Sequence, residues 1–169
     1  IMIRQEIVSA IQSRKGCAVI MAGSDSDEDH IGKLTKALDG YSIPHDVRIA
    51  SAHKQPETLM NAIREYNAVE GSLVFIAVAG GTDALSGTLS YHSLHPTVSC
   101  PPDAPNQSCL TNPPGSSNAY VGKVDNAVRF VAQVYAHANP EIMYKLQLSI
   151  REKVSKLEQA DLTSQGGRR

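Results

Sequence analysis

The sequence predicts an α/β fold, a three-layer sandwich in which helices cover both faces of a central parallel sheet. Three observations carry that expectation. Short unbroken apolar runs alternate with amphipathic helical segments along most of the chain. The runs have the length and composition of strands buried on both faces. Right-handed crossovers between such units leave a parallel sheet as the simplest arrangement. At 169 residues, 41% of them hydrophobic, the chain has the length and apolar content of one core.

Residues 2–14 place Ile3, Ile7, Val8 and Ile11 at helical spacing, an N-terminal amphipathic helix that Gly16 ends. Residues 17–22 form the first apolar run, and the turn Gly23-Ser24-Asp25-Ser26-Asp27 leads into a helix with Ile31, Leu34 and Leu38 on one face, ending near Gly40. The unit then repeats. A strand over 43–50 reaches the turn Ser51-Ala52-His53-Lys54, and a helix starts near Pro56 with Leu59, Ala62, Ile63 and Tyr66 on one face. Proline suits a first helical turn. A third strand over 73–79 meets Gly80-Gly81-Thr82-Asp83 and a helical stretch of less regular spacing. Residues 97–100 read as a short fourth strand. The stretch 101–118, rich in Pro, Ser and Asn, is the longest irregular segment, and such loops in compact domains are functional or mobile. A strand over 119–121, a helix over 124–137 and a last helix from Pro140, with Ile142, Leu146, Ile150, Val154 and Leu157 on one stripe, complete the pattern. The expectation is one domain over 1–161, flavodoxin-like or Rossmann-like with added N- and C-terminal helices, followed by a disordered tail over 162–169.

Composition narrows the function. Sixteen Lys and Arg against seventeen Asp and Glu leave a net charge of −1, so no broad basic field exists to hold nucleic acid. An aromatic share of 5%, with no Trp, argues against base-stacking platforms. No apolar run approaches the roughly 20 residues that span a bilayer, and Arg4 and Glu6 interrupt any signal-peptide pattern. Cys17, Cys100 and Cys109 form no CxxC pair, which speaks against a disulfide scaffold or zinc ribbon. Cys17 and Cys100 sit among apolar residues as small buried hydrophobes, whereas Cys109 lies in a polar loop that allows exposure. The chain reads as cytoplasmic.

Ligands of parallel sheets bind beyond the carboxyl ends of the strands, where the three turns lie. Ser24, Ser26 and Asp27 stand beside a helix N-terminus, where amides and hydroxyls suit a phosphate and a carboxylate suits ribose hydroxyls; Ser26 or Asp27 serves equally as a helix cap. Histidine is the side chain suited to proton transfer near neutral pH, which makes His53 a candidate for that role, and Lys54 beside it can hold an anion; a histidine in a turn is otherwise a solvent-exposed or hydrogen-bonded residue. Gly80 and Gly81 let the backbone approach a ligand closely. There is no GxGxxG fingerprint or P-loop, and His92 and His95 lack a third ligand at zinc spacing, so neither a dinucleotide, an NTP nor a metal is expected. His30, His45 and His137 read as surface or structural residues.

Taken in order, Gly23-Ser24-Asp25-Ser26-Asp27, Ser51-Ala52-His53-Lys54 and Ala79-Gly80-Gly81 resemble the catalytic domain of phosphoribosylaminoimidazole carboxylase, a family of purine biosynthesis. The resemblance continues through Ser99-Cys100-Pro101-Pro102, Pro114-Gly115 and Ala132-Gln133-Val134. Lys54 and the Ser-Cys-Pro-Pro run are similar to the class II branch, which carboxylates 5-aminoimidazole ribonucleotide directly with CO2. The resemblance implies that Ser24 and Asp27 bind the ribose-phosphate, with Ser26 in the same turn, that Lys54 binds the phosphate, and that His53 shuttles the proton. It implies that Ser51, Gly80 and Gly81, with Thr82 and Asp83 completing the turn, line the CO2 end. It also implies no biotin, metal or ATP, and a homo-octamer with sites completed by neighbouring subunits. The alternatives are a relative acting on another ribonucleotide, in the mutase or decarboxylase direction, and a non-catalytic nucleotide-binding protein.

The chain departs from the class II pattern in two places. Gly80-Gly81-Thr82-Asp83 stands where that branch reads Gly-Arg-Ser-Asn, which puts a carboxylate where an amide is expected. The 103–115 loop is several residues short and lacks the branch's arginine. A charged Asp83 facing the nascent carboxylate would oppose carboxylation unless it is turned away or protonated.

Overall fold

The computed structural model describes residues 2–166. Its centre is a five-stranded, all-parallel sheet in the order β2-β1-β3-β4-β5, built from β1 (Ala18–Ala22), β2 (His45–Ile49), β3 (Val74–Val78), β4 (Thr97–Ser99) and β5 (Ala119–Tyr120). Around it lie α1 (Gln5–Ser13), α2 (Glu28–Gly40), α3 (Pro56–Asn67), α4 (Ala84–His92), α5 (Val124–Tyr135) and α6 (Pro140–Gly166). The fold is flavodoxin-like, with helices on both sides of the sheet.

The alternation of side chains along each strand divides the core in two. Ala18, Ile20, Ala22, Val74, Ile76 and Val78 point to one face, where Leu34, Leu38, Val128, Val131 and Ile142 from α2, α5 and α6 cover them. Val19, Met21, Phe75 and Ala77 point to the other, under Ile7, Ile11, Leu59, Ile63, Tyr66 and Leu89 from α1, α3 and α4. The edge-to-face contact of Tyr66 with Phe75, ring centres 5.6 Å apart, uses two of the few large aromatic side chains in this second layer.

The irregular spacing of α4 has a physical cause. The sheet covers one side and the 108–116 segment the other, so Leu85, Ser86, Gly87, Leu89 and Ser90 are all buried. Gly87 admits that second cover, because a Cβ there would stand 2.7 Å from the Asn112 side-chain oxygen. The same folding back buries Cys109, only 3% exposed, and corrects the exposure its polar loop allowed. All three cysteines are thus buried, free thiols. The tail expected to be disordered from 162 is helical through Gly166, where Thr163 donates to the Gln159 carbonyl and Gln165 to Asp161, each at 2.9 Å. Polar i, i+4 pairing extends a helix without any apolar face; residues 167–169 lie outside the described residues. No helix among the described residues is long and apolar enough to cross a membrane.

The chain leaves β1 for β2 on one side, then crosses to β3 on the other. That reversal opens a crevice at the carboxyl ends of β1 and β3, the place where such sheets take ligands.

Candidate active site

The crevice holds a cavity of about 100 Å³ lined by three strand ends: Gly23, Ser24 and Asp27 after β1, Ser51, Ala52 and His53 after β2, and Ala79, Gly80, Thr82, Ala84 and Leu85 after β3. Backbone bonds beyond the regular ladders draw these turns together. The Gly23 amide donates to Val78 O and the Ala50 amide to Ala22 O, both at 2.9 Å.

Each turn spends some side chains on its own backbone. Ser24 caps the 3-10 turn at Asp25–Asp27 by accepting from the Ser26 amide at 3.2 Å, and its hydroxyl lies 2.7 Å from that of Ser26. Asp27 stands at the N-cap position of α2, but its side chain bonds no amide there. In the second turn the Ser51 hydroxyl accepts from the Lys54 amide at 3.2 Å, and the Gln55 amide donates to Ser51 O at 2.8 Å. His30 reaches across from α2 to lie 2.9 Å from the Cys100 carbonyl, a structural role.

Asp27, His53 and Thr82 remain. Their side chains make no hydrogen bond among the described residues, and each comes from a different strand end. Lys54 is exposed, forms no ion pair among the described residues, and stands next to His53 without lining the cavity. Partial burial, the carboxylates of Asp103 and Asp25 and the opposing pull of His30 together hold Asp27 above the usual carboxylate range. Burial raises Cys17 to about 12 and Cys100 to about 11, so neither thiol is a nucleophile near neutrality. Among the described residues no three His, Cys, Asp or Glu side chains gather as a metal-binding group.

Asp83 and Gly81 do not line the cavity. Asp83 is 6% exposed and turned into the fold, where it caps α4 by accepting from the Ser86 amide at 2.8 Å and also accepts from the Ser86 hydroxyl. A chain of donors ends on it. Asn112 donates to Asn118 Oδ1 (2.9 Å), Asn118 to Ser99 Oγ (3.1 Å), Ser99 to Ser86 Oγ (2.6 Å), and Ser86 to the carboxylate. With an amide donating at one end, only a full acceptor at the other leaves every proton paired. The negative charge at this position is turned away from the cavity.

The third turn is also held from outside by residues the sequence did not single out. Asp103 accepts from the Gly81 amide at 2.9 Å, Asn106 donates to Gly81 O at 2.7 Å, and Ser108 donates to Gly81 O at 3.2 Å while accepting from the Asp83 amide at 2.9 Å. The one legible signal was a loop rich in Pro, Ser and Asn, of which Ser and Asn pair readily with nearby backbone.

A doubly wound parallel sheet with an imidazole and a carboxylate lining a cavity at its switch point defines a flavodoxin-like protein. The chain belongs to the AIR carboxylase family, whose model matches residues 17–156. The human bifunctional phosphoribosylaminoimidazole carboxylase/phosphoribosylaminoimidazole succinocarboxamide synthetase is 31% identical over 94% of this chain, which spans only 39% of that protein. The phosphoribosylaminoimidazole carboxylase of Treponema denticola is 30% identical over 85% of this chain and 94% of its own length. The crystal structure of Treponema denticola PurE superposes with a TM-score of 0.83 at 28% identity, over 88% of this chain and 98% of that one.

Two outcomes test the division of labour. Asp83→Asn orphans one hydroxyl proton of the buried chain and lowers unfolding free energy by about 1–2 kcal/mol in denaturant titrations. An unchanged midpoint contradicts the chain as drawn. Asp27 carries a raised pKa, so its ionised form weakens the fold above that pKa and is neutral to it below. Asp27→Asn therefore raises Tm at pH 7, and the gain vanishes in acid; a lower Tm at pH 7 would mean the carboxylate has a structural partner.

Proposed function

We propose that the chain carboxylates 5-aminoimidazole ribonucleotide at C4 with CO2, without ATP, in purine biosynthesis. One observation carries the reading: of the five polar side chains that line the cavity at the switch point, Asp27, His53 and Thr82 have no hydrogen-bond partner among the described residues, while Ser24 and Ser51 also brace their own turns. Groups left without protein partners at a ligand site are there for the ligand.

The chemistry assigns each a task. The nucleotide is an enamine, and its C4 attacks CO2 to form the new carbon–carbon bond. C4 then carries both a hydrogen and the carboxylate. The His53 imidazole takes that proton, the electron pair returns to the ring, and aromaticity is restored. Ser24, Ser26 and Asp27 hold the ribose-phosphate, and Lys54 holds the phosphate from the open side. The backbone at Ser51 and Gly80, with Thr82, bounds the CO2 end. No metal or nucleoside triphosphate is required by this route. Asp83, pointing inward, does not oppose the nascent carboxylate and has no contact with the ligand.

Further support concerns assembly. A cavity of about 100 Å³ is smaller than the roughly 300–1,000 Å³ of ordinary ligand pockets. It suits the reacting end of the substrate, with the remaining walls supplied by neighbouring subunits of a homo-octamer. The exposed stripe Ile150, Val154 and Leu157 on α6 is in keeping with such contacts. Three unpaired thiols are in keeping with the cytoplasm.

Purified protein given 5-aminoimidazole ribonucleotide and bicarbonate, with no ATP, is expected to form the C4-carboxylated product. His53→Asn is expected to lower turnover by about 10³-fold and leave nucleotide affinity within about threefold. Turnover of the N5-carboxylated isomer alone would favour a mutase. Tight nucleotide binding without any turnover would favour a binding protein.

A further inference from the structure

Gly81 adopts φ +64, a left-handed conformation, and lies beyond the end of β3, so its amide and carbonyl are outside the regular ladder. Three side chains from one short loop supply their partners. Asp103 takes the Gly81 amide, Asn106 and Ser108 take the Gly81 carbonyl, and Ser108 also receives the Asp83 amide. The three are themselves linked: Asn106 donates to both Asp103 oxygens at 3.0 and 3.2 Å, and the Ser108 amide donates to Asn106 Oδ1 at 3.1 Å. Asp103 also lies across Gly80, where a Cβ would meet its carboxylate carbon at 3.5 Å. Gly80 and Thr82 line the cavity while Gly81 and Asp103 do not. The Asp103 carboxylate is also near enough to Asp27 to disfavour its ionisation, so the loop grips the turn at the rim of the site without lining the cavity.

We propose that Asp103, through this clamp with Asn106 and Ser108, is a positioning residue that fixes the Gly80–Gly81–Thr82 wall against the carboxyl-bearing end of the ribonucleotide. The inference rests on the carboxylation reading for the identity of that end. The clamp holds both polar groups of Gly81 and braces the wall without forming part of the cavity lining. The Gly81 amide and the Asn106 side chain hold the Asp103 carboxyl below its usual range, so the acceptor is ionised at neutral pH. A carboxylate on a backbone amide is a stronger and shorter restraint than a neutral acceptor. A misplacement of the wall by an ångström would weaken what it contacts and spare the distant phosphate.

The test uses the full chain and two ligands, 5-aminoimidazole ribonucleotide and its C4-carboxylated product, with Asp103→Ala and Asp103→Asn. Hydrogen exchange of the Gly81 amide is expected to speed up about tenfold in Asp103→Ala. Affinity for the carboxylated nucleotide is expected to fall about tenfold while that for the uncarboxylated one stays within about threefold. Asp103→Asn keeps an acceptor and is expected to restore both to within about threefold of wild type. Unchanged Gly81 exchange in Asp103→Ala, or equal loss of affinity for both nucleotides, overturns the proposal. If wild type binds neither nucleotide, the carboxylation reading fails by itself, and the Gly81 exchange alone then upholds or overturns the clamp.

Discussion

Backbone polar groups at the end of a parallel strand lose their ladder partners where the pairing stops, and burial does not let them stay unpaired. The site is organised by how that constraint is met. At the ends of β1, β2 and β3 the main chain satisfies part of the demand directly, through Gly23 to Val78 and Ala50 to Ala22. Side chains satisfy the rest: Ser24, Ser51 and Asp83 within their own turns, and Asp103, Asn106 and Ser108 from the loop beyond β4. What this leaves over is chemically specific. Asp27, His53 and Thr82 face one cavity with their hydrogen-bonding capacity intact, and Lys54 stands beside it.

The third turn shows how a carboxylate beside the cavity is taken up by the fold. The two oxygens of the Asp83 side chain are committed to the start of α4 and to the Asn118–Ser99–Ser86 chain. The donor end of that chain, Asn118, belongs to the segment just before β5, so the inner side of the turn is tied to the far edge of the sheet. The outer side is tied by Asp103. Both ties run through the segment 101–118.

The sheet and most helices were legible in the sequence because burial on both faces writes itself as unbroken apolar runs, and one-sided burial writes itself as a stripe. The runs around Ile20, Val47 and Ile76 and the stripes through Leu34 and Ile63 needed only local reading. So did the placement of Ser24, Asp27, Ser51, His53 and Gly80 at one edge, since in a parallel sheet all strand ends of one polarity face the same way. Three things were not legible. The burial of Cys109 depends on a polar loop folding back over α4, which Gly87 permits and no periodicity announces. The direction of Asp83 depends on Ser99 and Asn118, distant in the chain, so its residue type alone suggested a ligand contact. The helix through 162–166 rests on polar pairs in a stretch whose poverty in apolar residues argued for disorder.

The central claim is that three separate strand ends act as one ligand site. Backbone amide shifts recorded while 5-aminoimidazole ribonucleotide is added test it most directly. The account predicts that amides of residues 24–27, 52–54 and 80–82 move together and saturate with a single dissociation constant, while the surface groove around Tyr91, Asn112 and Pro113 stays still. Shifts confined to one turn, or centred on that groove, would contradict it.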